Sequence, residues 1–171
     1  PIPEFAAHSP HGTATTSASG RLLRDGKPYA LLLTVDPVDS LRQDGKDGWS
    51  ANLIDRMGEM LRNAEIACGV VTDGRWWSVV WADTRKDATR VSTIGSGITD
   101  GLNWASDLLT RDAYVNLVSL KSLSGADESQ RLDALIGDSL LDAEQITESL
   151  GTQVRGAVEL LIQAFSESSL N

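Results

Sequence analysis

The sequence predicts an α/β fold: a small mixed β-sheet with a strand-strand-helix-strand-strand core, followed by a helical C-terminal part. Three observations carry that prediction. Two Asp-Gly dipeptides, Asp25-Gly26 and Asp73-Gly74, each sit between runs of apolar residues, which is the strongest short-range hairpin signal. Between the two hairpins, Leu53, Ile54, Met57, Met60, Leu61 and Ala64 recur at helical spacing. Beyond residue 101 the alternating patterns give way to helical ones.

Residues 1–19 are rich in Ala, Ser, Thr and His and show no apolar periodicity, so they read as a flexible arm, with Pro1 to Phe5 as a tag remnant. The α/β core is expected over residues 20–101. Its first hairpin pairs Gly20–Arg24 with Tyr29–Val35. The second of these runs is apolar on both faces, as suits a central strand, and Pro37 ends it. Residues 39–48 form a polar loop. Ser50 is positioned to cap a helix running to about Ala67. Gly69–Thr72 and Arg75–Trp81 form the second hairpin. Trp76, Trp77 and Trp81 there read as packing residues rather than base-stacking ones, because alternate strand residues face opposite sides. An edge strand is expected at Thr89–Ile94 and a loop from Gly95 to Gly101. Residues 102–171 are expected as a helical extension. It holds a helix over Arg111–Leu123, a short one over Arg131–Ile136, and a long one capped by Ser139 or Asp142 and running to about Phe165.

Charge limits the partners. The net charge is −9, with 10 acidic and 8 basic residues up to residue 82 and 14 against 7 beyond it. Tight phosphate binding needs clustered Lys and Arg, so the chain alone is expected to hold duplex DNA only weakly. Arg75, Trp76, Arg85 and Lys86 are the candidate nucleic-acid contacts. The one cysteine, Cys68, excludes an intrachain disulfide and a thiolate zinc site. Together with the lack of any apolar run of bilayer length, this gives an expected cytoplasmic location and no membrane partner.

Catalytic patterns are sparse. Strand, strand, helix, strand, strand is the core order of PD-(D/E)xK nucleases. Their chemistry needs carboxylates to hold Mg²⁺, and a lysine two residues past an acid on the central strand. Tyr29–Val35 carries neither. The acid-x-Lys pairs that exist, Asp25-Gly-Lys27 and Asp44-Gly-Lys46, fall in a turn and a loop. The core therefore reads as a degenerate nuclease. Asp25, Lys27 and Asp36 are the weak catalytic candidates, and an active Mg²⁺-dependent endonuclease is the rival reading. No P-loop or dinucleotide-binding pattern occurs, and no metal site is expected.

Three segments resemble one family: Gly69–Ala82 (GVVTDGRWWSVVWA), Ala113–Leu120 (AYVNLVSL) and Ser139–Leu161, most tellingly at Leu150–Leu161 (LGTQVRGAVELL). They are similar to the N-terminal region of the large adenine-specific DNA methyltransferases and fused restriction–modification proteins of bacterial phage-defence operons, over roughly residues 20–165. The resemblance implies a DNA-modification or restriction protein whose methyltransferase domain binds S-adenosylmethionine and handles a flipped adenine with an Asn/Asp-Pro-Pro-Tyr/Phe tetrapeptide. No such tetrapeptide occurs among these residues, so no cofactor is expected in this chain, and S-adenosylmethionine belongs to the parent protein. The implied role is non-catalytic: positioning the enzyme on DNA, or docking the methyltransferase domain or other defence subunits. DNA would be reached through the parent protein. Glu144, Glu148 and Glu159, on an acidic helix with Arg155 as its basic counterpart, are the candidate docking residues. A pure protein-interaction module is a further alternative.

Overall fold

A computed structural model describes residues 1–83 and 94–168. Its elements in chain order are β1 (Ile2–His8), β2 (Thr15–Ala18), β3 (Gly20–Arg24), β4 (Lys27–Thr34), α1 (Leu53–Ala64), β5 (Cys68–Thr72), β6 (Trp76–Ala82), β7 (Ile94–Asp100), α2 (Leu108–Leu117), α3 (Leu120–Ser124) and α4 (Leu132–Ser168). Strands β3 to β7 form a five-stranded sheet in sequence order, and β1 and β2 form a separate pair. All neighbours run antiparallel except β4 and β5, which are parallel and joined through α1. The expected strand-strand-helix-strand-strand order is thus present, in a mixed sheet followed by helices.

Asp-Gly chemistry sets the first turn. Asp25 and Gly26 both take left-handed backbone, with φ of 51° and 77°, and two positive φ values match the right-handed twist of the strands they join. Asp tolerates this conformation and Gly carries no Cβ to oppose it. At the second turn, Asp73 accepts hydrogen bonds from the backbone N–H groups of Arg75 and Trp76 at 2.9 and 2.6 Å. Helix α1 begins at Asn52 rather than Ser50. The Asn52 side chain accepts from the N–H groups of Ile54 and Asp55. Its amide also reaches the Asp55 carboxylate at 2.7 Å, so one residue satisfies donors that Ser50 stands too far upstream to reach.

The core lies between α1 and one face of the sheet. Ile54, Met57, Met60 and Leu61 of the helix meet Leu31, Leu33, Val71, Val80 and Ala82. By strand alternation, Trp77, Val79 and Trp81 point to the opposite face. There Trp77 meets Trp104 and, on α2, Tyr114, with ring centroids 6.1 and 6.3 Å apart. Arg24 also works there. Its guanidinium lies 4.4 Å from the Tyr29 ring centre, donates to the Leu123 carbonyl, and reaches Asp133 at 3.1 Å.

Several expectations are corrected. Residues 1–19 are not an arm: β1 and β2 pair, and Phe5, Ala7, Ala14 and Ala18 are buried in the core beneath α1. Strand β2 runs on into β3 through Ser19. The N–H of Ser19 donates to the Leu32 carbonyl at 2.7 Å, and its hydroxyl accepts from Thr34 N at 2.9 Å. Gly95–Asp100 is a strand rather than a loop, paired to β6 along its length. The edge strand expected at Thr89–Ile94 falls mostly outside the described residues. The helix expected over Arg111–Leu123 is two helices, and the last two expected helices are one, running through Gly137 without a break.

The chain divides into two compact units, Pro1–Asp133 and Ala134–Asn171. The second consists of all but the first two residues of α4, which is 37 residues long and about 55 Å at 1.5 Å per residue.

Candidate functional site

In a sheet with parallel strands, ligands are most often held in the crevice beyond their carboxyl ends. The segment leaving β4 lies there. It encloses a crevice of about 710 Å³ lined by Val35 to Ser40, Gln43 to Asp47, Ala51, Leu53 and Arg56. Asp36, Asp39, Asp44 and Asp47 contribute carboxylates to it, and Lys46 a cation.

Arg56 organises this segment. It projects from the first turns of α1 and is 5% exposed. Every N–H of its guanidinium is used. Nε donates to the Ala51 carbonyl (2.8 Å), Nη1 to Thr16 Oγ1 (3.0 Å) and Asp47 Oδ2 (2.7 Å), and Nη2 to Asp47 Oδ1 (2.6 Å) and the Trp49 carbonyl (2.7 Å). The Trp49 ring lies against it, 4.6 Å from Cζ to centroid. This bidentate pair is the strong form of an ion pair. The Arg56 hydrogen bonds hold the Asp47 carboxyl at about 2, well below its ordinary 3.8. A Cβ on Gly45 would collide with the guanidinium and with the Trp49 carbonyl, so the loop closes this tightly only with glycine there. With all its donors committed, Arg56 is a clamp and has none left for an anion. It appeared in the sequence only as a charged interruption of an amphipathic helix.

The catalytic candidates do not converge. Lys27 opens β4 and Asp36 lies beyond its end. At about 3.3 Å per residue, roughly 30 Å of strand separates them, so an Asp36–Lys27 pairing within one chain is excluded. Asp25 and Lys27 flank the β3–β4 turn. No group of three His, Cys, Asp or Glu among the described residues is placed to hold a metal ion. Strand β4, between β3 and β5 in the sheet, presents Ala30, Leu31, Leu32, Leu33 and Thr34 where nuclease chemistry needs an acid and a lysine.

Nor are the nucleic-acid candidates free. Arg75 is tied to Asp100, with Nη2 2.7 Å from Oδ2 and Nε 3.2 Å from both oxygens. Hydrogen bonding to Arg75 lowers the Asp100 carboxyl, and the same bond raises Arg75. Arg75 also lies 4.7 Å from the centre of the Trp76 ring. Trp76 is half-buried against the core, and its indole N–H is buried without a hydrogen-bond partner. Arg85 and Lys86 lie outside the described residues. Burial first raises Asp73, but the N–H groups of Val38, Trp76 and Arg75 outweigh that and leave it below the ordinary carboxylate range. Cys68 is buried, which pushes its thiol up to about 12 and leaves it inert.

On α4, Glu148 and Glu159 are exposed; the Glu144 side chain lies outside the described ones. Leu150, Val154, Val158 and Leu161 on the same helix are about half exposed. No helix among the described residues is long and apolar enough to cross a membrane.

Comparison with known proteins adds no relative: no family model, no curated protein and no solved structure matches the chain. The fold and the site thus define a mixed α/β domain with a clamped loop over the ends of its parallel strands. Among its described residues no group of three His, Cys, Asp or Glu is placed to hold a metal ion.

Proposed function

We propose that the chain is a non-catalytic domain of a bacterial DNA-modification or restriction protein, with a degenerate nuclease-like core that positions a methyltransferase on DNA or docks its partner subunits. One observation carries the reading. A strand-strand-helix-strand-strand sheet has its second strand, β4, filled with Ala30 to Leu33, and the nearest acid-x-Lys pair lies in the Asp25-Gly26-Lys27 turn. Metal-assisted hydrolysis requires ligands fixed on rigid elements, and the architecture remains after that chemistry is gone. The acidic face of α4 then serves as the side turned toward a basic, phosphate-binding neighbour, which is expected to use S-adenosylmethionine.

The test is to express the chain together with the adenine methyltransferase region of its own operon and measure association, and to incubate the purified chain with plasmid DNA and Mg²⁺ or Mn²⁺. A complex without cleavage is expected. Cleavage abolished by Asp36→Ala would establish the nuclease instead, and lack of any association would remove the docking role.

A further inference from the structure

We propose that the β3–β4 turn is a modification site, at which Asp25 rearranges to isoaspartate through a ring closed with the Gly26 amide, ahead of every other Asp-Gly pair in the chain. The inference concerns main-chain chemistry and goes beyond the docking role proposed above, on which it does not rest.

Asp-Gly is the dipeptide in which this reaction meets least hindrance, because glycine leaves its own amide nitrogen unshielded by a side chain. The Gly26 nitrogen gives its proton to water and bonds to Cγ of Asp25. One carboxyl oxygen departs as water, and a five-membered succinimide closes. Water then opens the ring. Breaking the bond from the nitrogen to Cγ restores Asp25. Breaking the bond to the original main-chain carbonyl leaves the chain running through Cβ, with a free α-carboxylate. One water leaves and one enters, so the product has the mass of the starting chain, and nothing is oxidised or reduced.

Asp-Gly pairs occur at Asp25, Asp44, Asp47, Asp73 and Asp100, and the fold sorts them. Asp47 would have to leave both Arg56 donors, at 2.7 and 2.6 Å. The Asp73 carboxylate holds the N–H groups of Val38, Arg75 and Trp76, and the Gly74 amide is itself spent on Thr72 Oγ1 at 2.9 Å. Asp100 is bound by Arg75 and by the N–H of Leu102, while the Gly101 amide donates to the Arg75 carbonyl at 2.8 Å. Asp44 is exposed, but the Gly45 amide donates to the Ser50 carbonyl at 3.4 Å, and Gly45 is wedged between the Arg56 guanidinium and the Trp49 carbonyl. A ring has no room there.

Asp25 has none of these restraints. Asp25 and Gly26 are both exposed. Among the described residues no donor holds the Asp25 carboxylate, and the Gly26 amide is bonded to no acceptor. A Cβ on Gly26 would meet nothing within 4 Å, so the ring has space. Asp25 also starts from left-handed backbone, with φ of 51°, which an L-residue holds at a cost, so rotation toward the ring geometry gives up little. Each hydrogen bond that must first be released lowers the reactive population by roughly two- to tenfold, so Asp25 should react about tenfold or more ahead of Asp47, Asp73 and Asp100. The product inserts one carbon between Arg24 and Lys27, which a two-residue turn cannot absorb. Arg24, whose guanidinium lies on the Tyr29 ring and reaches Asp133, stands next to it.

The test is to warm the full chain at neutral pH, sample it over weeks, and map its peptides by chromatography with mass spectrometry. Isoaspartate is identified by an isoaspartyl-specific carboxyl methyltransferase with labelled S-adenosylmethionine as the probe. The peptide containing Asp25 should be the first to divide into two forms of equal mass, one of them accepting methyl groups. In urea all the Asp-Gly sites should react at comparable rates, because the hydrogen bonds that rank them are gone. Asp25→Asn keeps a turn former and offers ammonia as the leaving group, so its division should come sooner. Asp25→Glu, which cannot close a five-membered ring, should lose the signal. Division at Asp44, Asp47, Asp73 or Asp100 before Asp25 in the folded chain would overturn the proposal. So would an undivided Asp25 peptide, or a lead for Asp25 that persists unchanged in urea.

Discussion

Replacing Arg56 with Met tests whether the post-β4 loop is a built structure or a solvated one. Met keeps the aliphatic stem against Trp49 and removes the guanidinium. Five hydrogen bonds go with it: two to the Asp47 carboxylate, two to the carbonyls of Trp49 and Ala51, and one to Thr16. Summing them at about 1–3 kcal/mol each would overstate the cost, because water satisfies whichever acceptors become exposed. The Asp47 side chain stays 47% exposed, so its charge remains hydrated, and the main cost is the Trp49 carbonyl left buried without its donor, about 1–3 kcal/mol. For a chain of this size, each kcal/mol lowers Tm by about 2–4 °C, so a fall of roughly 2–12 °C is expected. Urea unfolding followed by tryptophan fluorescence measures it, and limited proteolysis should open first between residues 39 and 50. A loss below about 1 kcal/mol, with the loop still resistant, would refute the clamp, since surface ion pairs reach only that value.

The same pair sets an acid limb. Asp47 is lower in the folded chain (about 2) than its ordinary 3.8, so its contribution is complete above pH 3.8 and is lost as pH falls toward 2. Asp47→Asn should therefore be less stable than the parent at neutral pH, with the gap closing across that window; a constant gap in acid titrations of Tm would contradict it. Trp77→Ala should cost ~3 kcal/mol by opening the cluster with Trp104 and Tyr114, and an unchanged unfolding midpoint would return Trp77 to the base-stacking reading. Reversing Glu148 and Glu159 to Lys should weaken association with a methyltransferase region and reduce its salt dependence, and undiminished affinity would remove the electrostatic part of the docking role.

What was legible in the sequence followed from strong local signals. Asp25-Gly26 and Asp73-Gly74 announced their hairpins because few other dipeptides suit such turns, and Met57, Met60 and Leu61 announced the buried face of α1. The N-terminal strands were not legible. Ala7, Ala14 and Ala18 are too small to produce a hydrophobic pattern, and their burial comes from the helix that lies on them. Strand β7 was hidden by Gly95 and Gly97, which read as loop, whereas the Trp81 ring lies over Gly95 where a side chain would otherwise stand. Gly137 suggested a helix end, but the helix continues because the backbone there adopts helical geometry at a cost of only about 1 kcal/mol. For the site, the missing acid-x-Lys was visible in the composition of Tyr29–Val35. The Arg56 clamp was not, since its partners Thr16, Asp47, Trp49 and Ala51 come from segments whose approach only the fold determines.

The passage of one strand through Ser19 has a consequence for cooperativity. Thr15–Ala18 belongs to the small sheet and Gly20–Arg24 to the large one, and Ser19 is bonded to Leu32 and Thr34. The small sheet cannot detach without loosening the edge of the large one, and it contributes Phe5, Ala7, Ala14 and Ala18 to a core whose other wall is α1. The amides of Ala6 to His8 should then exchange with deuterium through the same opening event as those of β3 and β4, rather than through terminal fraying. A domain boundary drawn at residue 20 would cut through a single folding unit.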